Sequence, residues 1–505
     1  MTIPAALNRS RTRSPEKLAI VCGEQSWTYA ELDVLTDKVA LNLLIAGVQR
    51  GDRVAFHLVN GPELAIGSLA CLKAGAIAVP INLRLKGPEI DYILRHSGSM
   101  CYIGQPDFHA SLIGSCPAIG SLELRYLTGE PKDDRANSFA DLLAETNASL
   151  PGPEISTDQV AAILYTSGTT ARPKGVMHTH QTLIETAKVM RQAGLDGDQV
   201  AVVMTPMTHM IGFGMVFLSG LLNGATVVIS RPFDFEGTLQ ALARWRGTFL
   251  AGLPIMFRGL IQTQAELQLD VSSGKFYFCG GDSVPSALQE AFGNVFGPVC
   301  EAFGATEIAP TAWNRPGQIK AGSIGNPSHD GNFRLVDSDE NEVPVGEAGE
   351  ICVRGPHLMA GYWQDPEATS AAIRNGWFYT GDVARCDEDG FYWFVGRKKE
   401  IIVRGGSKIS PLEVEDVLYQ HPAVSEAGVV GRRDSVWGEV VIAFIALRPG
   451  FQATEDELLA FARERLADYK VPESIIYRDQ LPKGLTGKVL RRSLLQEEDA
   501  LATRI

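Results

Sequence analysis

Helix-period and strand-length apolar segments take turns along the first 280 residues, and few folds accept that order. Thr28 and Glu31 have the spacing of a capping box, and Leu32, Leu35, Val39, Leu43 and Leu44 follow at helical spacing until Gly47. Residues 53–59 then read as a strand. Pro62 opens a second helix through Leu64, Leu69 and Leu72, and Gly75 stops it before a short apolar strand at 77–80. Apolar strands recur at 159–166, 225–230, 248–253 and 276–279. A chain that returns from each strand through a helix builds a mostly parallel sheet with helices on its faces. From about Ala321 the texture changes. Asp337-Ser338-Asp339-Glu340, Glu347-Ala348-Gly349 and Asp387-Glu388-Asp389-Gly390 are turn signals between short strands, the signature of antiparallel structure.

A chain of 505 residues exceeds one ordinary core, so at least two domains are expected. The dense charged break at Gly396-Arg397-Lys398-Lys399-Glu400 is the natural boundary. Beyond it, strands at 401–403, 427–430 and 440–447 and helices at 411–418 and 455–466 suffice for a small α+β unit. Hydrophobic residues at 45% and charged residues at 21% suit a soluble globular protein rather than a disordered one. A formal net charge of -13 argues against broad contact with nucleic-acid phosphates. Eight cysteines with no C-x-x-C pair disfavour structural zinc and read as buried free thiols of a reducing compartment. Residues 1–13 are polar and basic, unlike a secretory signal, and no apolar run approaches the roughly 20 residues that cross a bilayer. The expectation is a soluble, cytoplasmic protein with no transmembrane segment. Homodimers are common among soluble enzymes, but no surface pattern marks one here.

The sharpest local motif is Tyr165-Thr166-Ser167-Gly168-Thr169-Thr170-Ala171-Arg172-Pro173-Lys174-Gly175, which directly follows a strand. Glycine lets backbone N–H groups turn toward an anion, hydroxyls donate to phosphate oxygens, and Lys174 adds positive charge. Most Ser/Thr/Gly runs are plain surface loops, but this density after a strand points to phosphate. The loop is not a Walker A motif, because G-x-x-x-x-G-K-[ST] does not fit. No G-x-G-x-x-G fingerprint follows a strand, which weighs against a nicotinamide dehydrogenase.

The loop resembles the signature of the acyl-adenylate-forming enzymes, which include acyl-CoA synthetases, aryl-CoA ligases, nonribosomal-peptide adenylation domains and firefly luciferase. The likeness continues through Glu301-Ala302-Phe303-Gly304-Ala305-Thr306-Glu307, Gly349-Glu350-Ile351-Cys352-Val353-Arg354-Gly355, Tyr379-Thr380-Gly381-Asp382, Gly396-Arg397-Lys398-Lys399 and Pro482-Lys483-Gly484-Leu485-Thr486-Gly487-Lys488. Order and spacing match over essentially the whole chain. The resemblance implies an α/β fold: a large N-terminal domain (1–397) of helix-covered sheets with a small β-barrel-like part, a hinge (398–400) and a small mobile α+β C-terminal domain (401–505). It also implies ATP, Mg²⁺ and CoA. A carboxylic acid joins ATP to give an acyl-adenylate and pyrophosphate, and the acyl group then passes to a thiol.

By the same resemblance, Lys488 bridges carboxylate and phosphate oxygens, Glu307 helps hold Mg²⁺, and Asp382 and Arg397 bind the ribose. Thr166, Ser167, Gly168, Thr169, Thr170, Lys174, Gly304 and Thr306 surround the phosphates, with Thr166 also near the reacting atoms. Gly281, Ala302 and Phe303 frame the adenine. Lys399 occupies the hinge position, and Gly405 and Gly406 match the glycine region beside the pantetheine tunnel. Arg404, Arg432 and Arg433 are weaker candidates for the CoA phosphates. His209, Phe213, Pro254, Gly280 and Gly281 line the acyl pocket, whose apolar and small residues suit a medium-chain, branched, alicyclic or aromatic monocarboxylic acid. Read alone, Lys488 is a solvated surface charge and Glu307 a surface glutamate; the motifs around them reverse those readings. Phe303 stands where many members carry tyrosine, and Ala171 replaces a usual glycine. An amine or a carrier protein is the competing acyl acceptor, and a catalytically silent nucleotide-binding protein is the competing class. His178 and His180, without further ligands, read as polar residues at a helix start rather than a metal site.

Overall fold

The computed structural model of the protein describes residues 1–129, 133, 135–146, 155–166, 172–282, 284–328, 332–484, 489–491 and 493–496, and the backbone alone of Lys408. Ser167, Gly168, Thr169, Thr170 and Lys488 lie outside the described residues.

Two large sheets make the body of the N-terminal domain. A nine-stranded sheet runs in the order Asn326–Pro327, Ile308–Trp313, Val299–Ala305, Phe276–Gly280, Phe249–Gly252, Val200–Val203, Thr226–Ile229, Leu18–Cys22, Gln25–Thr28. Its centre, from Val299–Ala305 to Leu18–Cys22, is parallel. An eight-stranded sheet runs Gly361–Tyr362, Lys174–Thr179, Val160–Thr166, Ile77–Pro80, Arg53–His57, Ser99–Gly104, Leu124–Leu127, Asn137–Ser138. The alternation read from the sequence thus feeds two sheets rather than one.

The period-2 geometry of a strand decides the layers. Ile20, Ala201 and Val203 face one core while Val21 and Val202 face another. Likewise Val54 and Ala55 point to opposite sides of the eight-stranded sheet. The main core lies between the sheets and takes in Val39 and Leu43 of the helix Tyr29–Ile45, Leu64 and Leu69 of Pro62–Lys73, and Leu183 and Met190 of His180–Gln192. The helix Pro62–Lys73 is buried from Leu64 to Lys73, so its apolar residues occupy more than one stripe, whereas His180–Gln192 keeps Gln181, Lys188 and Gln192 on an exposed face. The capping box forms as expected: Glu31 N–H donates to Thr28 Oγ1 at 3.2 Å, and Thr28 N–H donates to Glu31 Oε2 at 2.8 Å.

The part expected to be barrel-like is a five-stranded antiparallel sheet with Phe333–Val336, Ala348–Val353, Trp377–Cys386, Ile373–Arg374 and Tyr392–Arg397. The smaller C-terminal domain has its own five-stranded sheet and its own apolar core, including Val414, Leu418, Val429, Ala443 and Leu458. All eight cysteines are free, six of them buried. Among the described residues no helix is long and apolar enough to cross a membrane.

Candidate active site

In open parallel sheets, ligands bind beyond the carboxyl ends of the strands. Here those ends are Gly252, Gly280 and Ala302–Ala305, on neighbouring strands. Backbone crowding demands glycine there. A Cβ on Gly280 would collide with the Ala302 carbonyl oxygen. Gly281 has φ +77°, and a Cβ there would lie 3.0 Å from Leu253 and 3.4 Å from Ile211. Gly281, Ile211 and the Leu253-Pro254 helix start therefore converge, with Pro254 at the first position of the helix Pro254–Leu267.

Thr306 and Glu307 are the two turn residues of a hairpin, because Ala305 pairs with Ile308. Both are half-buried. Tyr362 hydroxyl donates to Glu307 Oε1 at 2.8 Å. Burial and the Glu307 carboxylate hold that hydroxyl well above its ordinary pKa, so it stays a donor. Met359 N–H donates to the Glu307 carbonyl at 2.8 Å. Among the described residues Glu307 belongs to no ion pair, which leaves its second carboxylate oxygen for a hard cation. No group of three or more metal-binding side chains exists among the described residues. That donor set fits Mg²⁺ held by one carboxylate together with nucleotide phosphates, as this ion prefers.

The two ends of the segment expected to bind phosphate are paired. Thr166 and Lys174 face each other as the last pair of the strands Val160–Thr166 and Lys174–Thr179. Lys174 Nζ sits 4.7 Å from the centre of the Tyr362 ring, a cation–π contact. The base of the loop is thereby joined through one tyrosine to Glu307. Nothing in the sequence reading singled out Tyr362; its signal lies only in its strand, Gly361–Tyr362, which pairs with Lys174–Thr179.

Asp382 and Arg397 are cross-strand partners, with Arg397 Nε 3.6 Å from Asp382 Oδ1. Asp382 N–H donates to Thr380 Oγ1 at 3.0 Å, and Gly381, at φ +73°, makes the bend before it. Phe303 packs 6.1 Å from Phe394, on the strand that carries Arg397, and 6.4 Å from Phe333. Phe303 thus links the strand Val299–Ala305 to the strand Tyr392–Arg397, which carries Arg397.

His209 is held by Asn82, whose Nδ2 lies 3.2 Å from His209 Nε2. Burial, and then the nearby Arg84, lowers its pKa, so the ring is neutral at physiological pH. Phe213 is fully buried in the main core against Phe217, 6.2 Å away. His178 and His180, expected as polar residues at a helix start, do flank the N-cap Thr179, but both are fully buried. Glu301, at the head of its motif, is 5% exposed, and burial pushes its carboxyl up to about 8 despite a 2.8 Å bond from Gln289.

Gly405 and Gly406 form an exposed hairpin turn with φ +55° and +85°, the double left-handed turn that glycine permits. Arg404 and Arg432 share Glu473, at 3.0 and 3.7 Å. At the domain boundary, Lys398 is tied to the N-terminal domain. Its N–H donates to the Gly381 carbonyl at 2.8 Å, and its ammonium pairs with Glu350 at 2.7 Å. Glu400 is tied to the C-terminal domain through Arg491 at 2.7 Å. Lys399, between them, is exposed.

Residues 7–363 match the AMP-binding enzyme family, and residues 413–488 match the AMP-binding enzyme C-terminal domain. The chain belongs to the AMP-binding enzyme family. This AMP-binding enzyme is 39% identical to a feruloyl-CoA synthase of Amycolatopsis sp over 487 residues, 96% of each chain. It is 35% identical to a long-chain-fatty-acid–CoA ligase of Bacillus subtilis, covering 98% of this chain and 94% of that one. Its fold superposes on the anthranilate CoA ligase AuaEII in complex with anthranoyl-AMP with a TM-score of 0.92 at 28% identity, covering 100% of this chain and 98% of that one.

Proposed function

We propose that this AMP-binding enzyme is an AMP-forming acid–thiol ligase that activates a monocarboxylic acid with an apolar or aromatic tail and passes it to CoA. The observation that carries the reading is the Lys174–Tyr362–Glu307 cluster. One carboxylate oxygen is pinned and the other is left open, beside the base of a phosphate loop. In the first step a carboxylate oxygen attacks the α-phosphorus of ATP, and the bond to the β-phosphate oxygen breaks, releasing pyrophosphate. Two anions must meet, so positive charge and donors are needed where repulsion is greatest. When bound, Mg²⁺ neutralises phosphate charge. Glu307 would hold it, Thr166, Thr306 and Lys174 would contact phosphate oxygens, and Lys488 would bridge the two reactants. Asp382 and Arg397 would hold the ribose. In the second step the thiol sulfur attacks the acyl carbon, the thiol proton is lost, and AMP leaves with the bonding electron pair.

The hinge at Lys399, within 398–400, is supported by the anchoring of its neighbours' side chains, that of Lys398 to one domain and that of Glu400 to the other. A backbone change absorbed at one exposed residue would turn residues 401–505 as a body. It would exchange the Lys488 segment for the Gly405-Gly406 turn, our candidate for the pantetheine side. The names of the relatives, a feruloyl-CoA synthase, a long-chain-fatty-acid–CoA ligase and an anthranilate CoA ligase, support an apolar or aromatic acid. The test is AMP release from ATP and Mg²⁺ with a panel of carboxylic acids, with and without CoA. Products are identified by mass spectrometry. Sustained AMP formation that requires CoA and yields a new acyl-CoA mass is the expected result. Adenylate that forms but never reaches CoA would transfer the proposal to an amine or carrier-protein acceptor. No AMP with any acid would sink it.

A further inference from the structure

His178 is the last residue but one of the strand Lys174–Thr179 and is fully buried, yet it is no passive core residue. Its Nε2 lies 2.8 Å from the Thr306 carbonyl oxygen, 128 positions along the chain. A carbonyl oxygen only accepts, so Nε2 carries the proton and Nδ1 is the acceptor. Thr182 Oγ1 lies 3.2 Å from Nδ1, and its hydroxyl also has the Thr179 carbonyl within reach at 3.1 Å. The tautomer is therefore set by the Thr306 carbonyl, and burial keeps the ring neutral, pushing its pKa down to about 4.

What the imidazole holds is a turn that does not hold itself. Two-residue hairpins favour turns with positive φ, because their twist matches the strands. Neither Thr306 nor Glu307 has positive φ, and neither is glycine. The Gly405-Gly406 hairpin, with both φ positive, is the self-sufficient contrast. At Thr306-Glu307 three outside restraints converge on two residues: His178 on the first carbonyl, Met359 N–H on the second, and Tyr362 hydroxyl on the carboxylate. His178 and Lys174 belong to one strand, so the phosphate loop and the Thr306-Glu307 turn are registered against each other through a single rigid element.

We propose that His178 is a positioning residue for nucleotide binding: its bond to the Thr306 carbonyl fixes the turn so that the Thr306 hydroxyl and Glu307 carboxylate face the metal-bound phosphates. This rests on the adenylating reading above. The histidine touches neither nucleotide nor acid, and it acts through the turn.

The test is equilibrium binding of ATP to the full-length protein by calorimetry, with and without Mg²⁺, alongside KM values for Mg-ATP and for the acid. His178→Leu removes the donor, His178→Gln carries an amide that reaches as far as Nε2, and His178→Asn carries one that does not. His178→Leu and His178→Asn are each expected to weaken Mg-ATP binding about tenfold, the scale of one lost buried hydrogen bond. Metal-free ATP binding should weaken clearly less than Mg-ATP binding, because only the Thr306 contact is affected, the KM for the acid should change less than about twofold, and His178→Gln should restore most of the loss. If His178→Leu does not fold, the Gln and Asn pair decides alone. Gln and Asn variants with the same Mg-ATP affinity would overturn the proposal. So would an equal loss for ATP with and without metal. Wild-type protein that binds no ATP at all would instead refute the adenylating reading.

Discussion

Replacing Arg491 with methionine tests what holds the chain around Arg491 in place. Arg491 stands three residues after Lys488 and is bound on three sides. Its Nη2 and Nε donate to the two oxygens of Glu415 at 2.7 and 3.1 Å, and its Nη1 donates to Glu400 Oε2 at 2.7 Å. The Arg491 and Glu415 side chains are only 17% and 7% exposed. Burial already holds the Glu415 carboxyl above its ordinary range, while Arg491 and the Val429 N–H pull it back. Removing one partner of such a pair strands the other and costs about 3–5 kcal/mol. For a domain on the order of 100 residues, 3 kcal/mol lowers Tm by roughly 12 °C or more. Scanning calorimetry of the full chain should show that fall in the C-terminal transition alone. The double variant Arg491→Met/Glu415→Gln, which leaves no unpaired charge at the buried Glu415 and only the part-exposed Glu400 without its partner, should recover most of it. The exposed pair Arg244–Glu24, with side chains 55% and 82% exposed, is the control, and Arg244→Ala should give no resolvable shift. The pH dependence has a definite sign. Without the arginine, the folded-state pKa of Glu415 rises further above its unfolded value, so stability falls as pH rises between the two. The Arg491→Met deficit should therefore widen from pH 5 to pH 8. A drop under about 2 °C, or a double variant no better than the single one, would refute the anchoring argument.

Lys488→Ala is expected to lose adenylate formation yet still make thioester from a supplied acyl-adenylate; equal loss of both half-reactions would remove the bridging role. Lys399→Pro should spare pyrophosphate release and slow thioester formation, and a variant with both steps intact would place the hinge elsewhere. Gly280→Ala drives a methyl group into the Ala302 carbonyl oxygen, so little soluble protein is expected on expression; normal yield and activity would contradict the crowding. Glu301 titrates near pH 8 in the fold and near the ordinary carboxylate value when unfolded, so its share of stability declines as pH rises from about 4.5 to about 8. Glu301→Gln should match wild type in denaturant midpoint near pH 5 and exceed it at pH 9, and an equal midpoint at both would reverse that assignment.

The elements and motifs of this chain were open to reading because their causes are local. A capping box acts across three residues and a strand's apolar run across about five, so Thr28-Glu31 and the strand read at 159–166 declare themselves in the sequence. The order of the motifs likewise carried the family and the roles of Glu307 and Asp382 as expectations. Local pattern did not show that the βα units divide between two sheets, because a strand's period is the same in either. Nor did it show which groups hold the functional residues. Tyr362 reaches Glu307 across 55 positions, His178 reaches Thr306 across 128, and Arg491 reaches Glu400 across 91. A lone tyrosine, histidine or arginine carries no periodic or spacing signal of such a partner. Only the tertiary packing of strands, turns and helices brings those atoms within hydrogen-bond reach, and there burial turns an ordinary polar side chain into a restraint whose loss is costly.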